Sequence, residues 1–592
     1  MNPLIPLGFC LLPEKPRHIG RSVIYPHYMH EILSHAGLFY ETISLENLEE
    51  KLPSLQILIT VGETEFSGNF KTALTSWVDG GGAWISIGGV CGMSDLLGVE
   101  VLPVSYQGWS LGVSSVGEGY LQKIHKTHPV LKHVTLPLHF FGGIAAKNTH
   151  GNLLAEILDV HQRKTRRAAV VESDKGKGHC LFIAPDVTGT VVRIQQGIAV
   201  TRDGIPAPDG TAPLNETVLK CNDGIVLDWI FDRRGIKGID GYKAFLDPIS
   251  DLWREIVLRS IFHLAQIQEI ALPLLWLYPR NKPAMAHMSN DTDQNDPERA
   301  RRLLHVLDNA GIHSTWCIIL PGYEKSLIGN IRENGHELAM HFDALEDNKR
   351  SWSESEFQKQ FQDLTRLFDG RKPLTNKNHY TRWEGDTEFY DWCERYGIKF
   401  DESKGPAKTG DVGFLFGTCH PYLPLDPRGR TIDVLELPFL TQDLVLTAPR
   451  ELGDASLLSV LKCHGIAHFL FHPHHIIRKD IEDALIYIVE KAKSLDMEWW
   501  PAWKINAWER ARRNASWSHY RKTEKSSGVT FRSAESLDQA TMLWLLPSEA
   551  KGTLNGRTLK SDTVIRWGFP FQAMTFDAPA GVPCVFEMDL RI

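Results

Sequence analysis

Pro283-Ala284-Met285-Ala286-His287-Met288-Ser289-Asn290-Asp291-Thr292-Asp293 decides the reading of the central part of this chain. An apolar run, Ala284 to Ser289, reads as a buried strand, and it ends abruptly in the acidic knot Asn290-Asp291-Thr292-Asp293. Outward from it the pattern alternates. A helix is predicted over Pro297 to Ala310, a strand over Thr315 to Leu320, a helix over Lys325 to Asn334, a strand over His336 to His341 and a helix over Ser353 to Phe368. Strands alternating with helices argue for a (β/α) barrel or a distorted relative, starting at Pro279-Arg280-Asn281-Lys282-Pro283.

The flanks read differently. From Met1 to about Asp240, strand candidates such as Leu55 to Val61 and Ala83 to Gly88 alternate with amphipathic stretches, as in a doubly wound α/β domain. Lys175-Gly176-Lys177-Gly178 between two apolar runs predicts a hairpin, and Gln195 to Asn222 is loop-rich. Beyond Arg513, a polar stretch gives way to short strands, with Leu554-Asn555-Gly556-Arg557 as a type I′ turn signal. The expected organisation is α/β multidomain: residues 1–270 a doubly wound α/β domain, 271–512 a distorted (β/α) barrel, and 513–592 a small β-sandwich. The aromatic residues of that tail (Trp544, Trp567, Phe569, Phe571 and Phe576) read as core.

Composition bounds the partners. With 592 residues and 43% hydrophobic, 23% charged content, the chain is an ordinary globular protein of several domains. Its 64 basic and 72 acidic residues offer no field for a nucleic-acid backbone or an anionic membrane, so neither partner is expected. Nine scattered cysteines without a CxxC pair read as reduced thiols. The start, MNPLIPLGFCLLPEKP, does not look like a secretory signal, and no run of 18 apolar residues exists. A cytoplasmic location is expected as the chain is written, and an extracellular one if a leader is missing. Oligomeric state is not legible.

Twelve of the 25 histidines fall between His287 and His475, in the same region as the acidic knot. Imidazole and carboxylate together suit Zn²⁺, Co²⁺, Ni²⁺ or Fe²⁺. Three blocks, Met288-Ser289-Asn290-Asp291-Thr292-Asp293, Gly335-His336-Glu337-Leu338-Ala339-Met340-His341 and Phe469-Leu470-Phe471-His472-Pro473, resemble the polysaccharide deacetylase family (NodB homology, carbohydrate esterase family 4) over about residues 283–510. Lys377 to Trp383, Gly413 to Tyr422 and Leu435-Glu436-Leu437-Pro438 resemble a less-studied branch. The resemblance implies a barrel of NodB type with a divalent metal, most simply zinc. It implies Asp291 as catalytic base, Asp293 and His341 as metal ligands, and His472 as the acid that protonates the leaving amine.

One departure stands out. The family's second motif places another histidine four residues after His341, where this chain has Leu345. His336 is a poor substitute, because positions five apart on a strand face opposite ways; it reads as a buried structural histidine. His379 and Glu346 are the candidates for the third ligand, with His379 preferred because it completes a two-histidine, one-carboxylate set. Arg382 either orients Asp291 or is a surface arginine. His420 and Tyr422 are candidates for lining a substrate groove, and Trp383 for stacking on a sugar; His474 and His475 read as loop histidines.

The activity implied is metal-dependent removal of N-acetyl, or O-acetyl, groups from a carbohydrate. The alternatives are hydrolysis of another non-peptide C–N bond, or an inactive relative that binds a glycan or partner. The N-terminal part resembles class I glutamine amidotransferase-like modules through Gly89-Val90-Cys91-Gly92-Met93. It lacks the second flanking glycine, and His128-Pro129-Val130 has an apolar residue where an orienting carboxylate belongs. A non-catalytic module is expected there.

Overall fold

The structure is a computed structural model and describes residues 4–12, 25–103, 105–106, 109–110, 116–204, 206–212, 217–546 and 550–590. Part of the N-terminal stretch read above, and residues 205 and 213–216 of the loop-rich segment, lie outside the described residues. The chain divides into two compact units, one of residues 1–191, 252–281 and 510–592, the other of 192–251 and 282–509. Residues 192–251 fall in the second unit, and the C-terminal strands fall in the first.

The first unit holds a nine-stranded sheet built from β1 (Ile5–Leu11), β2 (Glu41–Ser44), β3 (Leu55–Val61), β4 (Ala83–Ile87), β5 (Glu118–Lys123), β6 (Leu138–Phe141), β7 (Asn152–Leu158), β8 (Lys164–Lys175) and β9 (Gly178–Ile183). Its order is β2-β1-β3-β4-β9-β8-β7-β5-β6. The half from β2 to β9 is parallel, the rest antiparallel. The predicted hairpin is β8–β9, closing where Lys175 pairs with Gly178 and Gly176 takes φ +59°. At the other end of the chain, strand Leu272–Leu275 pairs with Leu537–Leu545, which continues to Phe569–Ala578 and Asp562–Arg566. A five-stranded antiparallel sheet faces it, with Phe531 and Phe586 on that sheet against Phe576. Asn555 and Gly556 both have positive φ, as the I′ turn requires. The five aromatics read as core are buried.

The second unit is a curled, wholly parallel sheet of β10 (Met285–Asp291), β11 (Thr315–Ile318), β12 (Glu337–Phe342), β13 (Thr375–Asn378), β14 (Phe400–Asp401), β15 (Leu435–Glu436), β16 (Thr441–Gln442), β17 (Ile466–Leu470) and β18 (Glu498–Trp499). The order is β15-β14-β13-β12-β11-β10-β17-β16, with β18 beside β10. The helix Pro297–Ala310 forms where predicted: Asp296 accepts from the backbone N–H groups of Glu298 and Arg299, Pro297 supplies a preset φ, and Gly311 closes the end at φ +62°. No described helix is long and apolar enough to cross a membrane.

Residues 192–251 brace the loops of this unit. Val200 and Gly385 exchange backbone hydrogen bonds of 2.8 and 2.9 Å, and the Trp383 N–H donates to Leu219 O at 3.0 Å. They hold a strained stretch: Tyr380 and Thr381 sit consecutively at φ +61° and +51°, conformations that cost of order 1–3 kcal/mol each outside glycine.

Candidate metal centre

Because side chains alternate along a strand, His287, Ser289 and Asp291 share one face of β10, and Lys377 and His379 share one face at the end of β13. The register sets His341 opposite Lys377 and Asp291 opposite Cys317, so these faces converge at the C-terminal ends of the strands. The acidic knot is held in place locally. The Thr292 hydroxyl accepts from Ile319 N–H at 3.1 Å, and the Asn290 amide donates to Phe471 O at 3.0 Å.

Asp293, His341 and His379 present one donor atom each within 4.8 Å of one another. His341 Nε2 lies 3.2 Å and His379 Nε2 3.7 Å from the same oxygen, Asp293 Oδ1. Donors around an ion with bonds of about 2.0–2.2 Å stand about 3–4 Å apart, so the set fits a divalent ion of the zinc type. The other ring nitrogens are already engaged. His341 Nδ1 donates to Lys377 O at 2.9 Å, and His379 Nδ1 to Asp343 Oδ1 at 3.1 Å. Those bonds fix a proton on each Nδ1 and aim both Nε2 atoms at Asp293; a bound ion would take the place of the Nε2 proton that His341 now donates to Asp293, the Nδ1-anchored arrangement that metal-ligating histidines use. Burial opposes the charge on Asp293, but the hydrogen bond from His341 and the charges of His472, His341 and His379 outweigh it and hold the carboxyl far below its usual range.

Asp291 and His472 flank the group. Asp291 Oδ2 is 3.8 Å from His341 Nε2, and His472 Nε2 is 3.7 Å from Asp293 Oδ2. Asp443 grips His472 twice, through its backbone N–H (2.9 Å) and Nδ1 (2.5 Å), and also takes His475 Nδ1 at 2.9 Å. Burial disfavours the imidazolium, yet Asp443 first and then Asp293 and Asp291 push His472 up to about 10.

The residue beside Asp291 is Lys377, not Arg382. Its buried Nζ lies 3.7 Å from Asp291 Oδ1 and 3.8 Å from Glu402 Oε2, and donates to Ser289 Oγ at 2.5 Å. Ser289 meets His468 Nε2 at 2.8 Å, and Glu402 meets His287 Nε2 at 2.8 Å, so a buried polar column runs down the sheet from the centre. Arg382 pairs instead with Glu384 and with Ala344 O. Tyr422 is fully buried with its hydroxyl donating to Gln195 O at 2.7 Å, and His420 is buried against Cys463 O at 3.0 Å. Trp383 packs against Phe389 and Tyr390 with Lys404 Nζ 4.6 Å above its ring. None of these three is placed as a groove wall. The exposed ring next to the centre is Tyr380, edge-on to His379 at 5.2 Å.

Glu346 lies exposed on the turn Glu346–Asn348, outside the donor group, whereas His379 is within it. His336 is buried, its Nδ1 accepting from Ser314 N–H at 3.0 Å. Lys377, Asp343 and Asp443 escaped the sequence reading. For the first two, a signal existed: each stands two residues from a histidine of the centre, hence on the same strand face. Asp443 has no local signal.

No protein-family profile and no curated protein matches the chain. Among solved structures it is similar to one from Mycobacterium smegmatis assigned as a polysaccharide deacetylase, at 17% identity over 40% of this chain and 93% of that one, with a TM-score of 0.31. It is similar to Puue allantoinase at 13% identity over 40% and 92%, TM-score 0.31. A mutant of BA3943, a CE4 family pseudoenzyme with restored enzymatic activity, matches at 14% identity over 39% and 69%, TM-score 0.24.

Proposed function

We propose that the second unit is a metal-dependent hydrolase of polysaccharide deacetylase type that removes N-acetyl, or O-acetyl, groups from a carbohydrate. The observation that carries this is the donor set itself: two imidazoles whose Nδ1 protons are fixed by Lys377 O and Asp343 turn their Nε2 atoms on Asp293, with Asp291 and His472 at either side.

Asp293, His341 and His379 would hold the ion. When bound, a divalent ion supplies a Lewis acid for the acyl oxygen and a water whose pKa falls toward ~7. Asp291 accepts the proton from the attacking water, with the Lys377 ammonium 3.7 Å away as its counter-charge. His472, kept protonated by Asp443, delivers a proton to the departing amine through Nε2. Tyr380 offers an exposed aromatic face on which a sugar ring can stack beside the reacting group.

The test is elemental analysis of protein purified without chelators, joined to acetate release from a panel of N-acetylated sugars before and after metal removal. Metal-dependent acetate release is the expected result. Metal without acetate release redirects the reading to another C–N bond, and absence of metal after incubation with Zn²⁺, Co²⁺ and Ni²⁺ overturns it in favour of a binding protein.

A further inference from the structure

The first unit contains a second group of metal-type donors, far in sequence from the first. His128 lies in the loop after β5, Glu172 on β8, and His263 on the helix Ile249–Ile267. His263 Nε2 is 2.8 Å from Glu172 Oε1, and His128 Nε2 is 3.4 Å from Glu172 Oε2. The two imidazoles meet edge to face with centroids 4.7 Å apart. One donor atom from each residue lies within 4.8 Å of the others.

We propose that His128, Glu172 and His263 form a site for a divalent transition-metal ion of the Zn²⁺, Co²⁺ or Ni²⁺ class, fastening the helix and the loop to the sheet. Three features carry it. Two nitrogens and one carboxylate are the donor chemistry those ions select. Their spacing is close to that of donors sharing one ion. The side chains are 11%, 14% and 12% exposed, so an ion reaches them without unfolding while the donors are already largely stripped of water.

Proton accounts balance with a tautomer change. Both Nε2 atoms give up the protons that face Glu172, each ring keeping one proton on Nδ1 and any second ring proton leaving to solvent; for His128 this ends a long 3.4 Å contact in which Nδ1 accepts from Val130 N–H. The nearby cation Arg259, one turn before His263, is engaged by Glu255 at 3.0 Å and by Pro129 O at 3.5 Å, so its charge is compensated next to the site. Three protein donors leave a fourth position for water, which makes the site a clip rather than a closed cage.

The experiment counts metal in the full-length protein. Parent, Glu172→Gln, His263→Ala, Asp293→Asn and the double variant Asp293→Asn/His263→Ala are incubated with Co²⁺ or Zn²⁺, freed of excess and analysed for equivalents bound. Two equivalents in the parent, one in each single variant and none in the double variant is the expected pattern. A parent that holds one equivalent, lost in His263→Ala and kept in Asp293→Asn, supports this site and defeats the centre of the second unit. Unchanged metal content in both Glu172→Gln and His263→Ala overturns this proposal and leaves that centre standing. Glu172→Gln preserves shape, and a thermal midpoint raised by Zn²⁺ in Asp293→Asn but not in the double variant separates loss of the ion from loss of the fold.

Discussion

Cys91 and Asp291 occupy comparable places, one in each unit: each lies at or just past the C-terminal end of a parallel strand, within a short motif that resembles a catalytic one. Their surroundings differ in sign. Around Asp291 the structure gathers Lys377 and His341, and His472 stands across Asp293. Around Cys91 it gathers carboxylates. Glu63 accepts from Cys91 N–H at 3.1 Å and Val90 N–H at 2.6 Å, and burial followed by Glu63 pushes the buried thiol far up from its usual range. Cys91 even takes the strained φ of +53° that a nucleophile turn uses. Backbone strain therefore does not make a nucleophile; the charge of the groups around the atom does.

The largest effect that can break this contrast is expected from Asp291→Asn. It should cut turnover by about 10²–10⁴ while metal content stays parental. Loss of metal in that variant would exchange the roles of Asp291 and Asp293. Lys377→Met comes next, because it leaves Asp291 and Glu402 without the cation between them; a loss of about 3–5 kcal/mol in denaturant unfolding is expected.

A third prediction separates buried charge from catalytic charge. Glu337 accepts from Thr315 Oγ1 (2.9 Å), Thr375 Oγ1 (2.6 Å) and Trp503 N–H (2.7 Å), yet burial pushes it up from 4.5 to about 7. A folded pKa above the unfolded one means stabilisation that is fully present below pH 4.5 and lost as pH rises through 7. Compared with Glu337→Gln, the parent should lose about 3 kcal/mol between those limits in urea melts. A parallel pH dependence in both proteins would show that Glu337 ionises in the folded state as it does in water. The smallest effect belongs to Cys91→Ala, expected to cost about 1 kcal/mol and to leave acetate release unchanged. A large loss of activity there would give the thiol a role its surroundings deny.

Much of the second unit was legible because its signals are local. The strand ending in Asp291, the helix capped by Asp296 and the placement of His341 all follow from neighbours in sequence. His379 could be weighed against Glu346 on donor chemistry alone. Lys377 could not be found so readily, since lysine on a strand reads as surface until its neighbours bury it. Arg382, Trp383 and Tyr422 were misplaced for a different reason. Two left-handed residues, Tyr380 and Thr381, redirect the chain before Arg382, and residues 192–251 pack on the loops that carry Trp383 and Tyr422. No period or motif in the central region announces that a segment nearly two hundred residues upstream covers it.

The pairing of Leu272–Leu275 with Leu537–Leu545 sets the order in which the protein can be finished. A nascent chain that has left the ribosome through residue 512 carries every residue of the second unit, while the apolar strand is met by Gly37 and Leu38 on one side and still awaits Leu537–Leu545 on the other. Until the last strands are synthesised, this edge is open to pairing with another chain. Shortening the protein at residue 512 is therefore expected to yield aggregates, because the β-rich segment supplies strands to the unit that holds the N-terminal sheet.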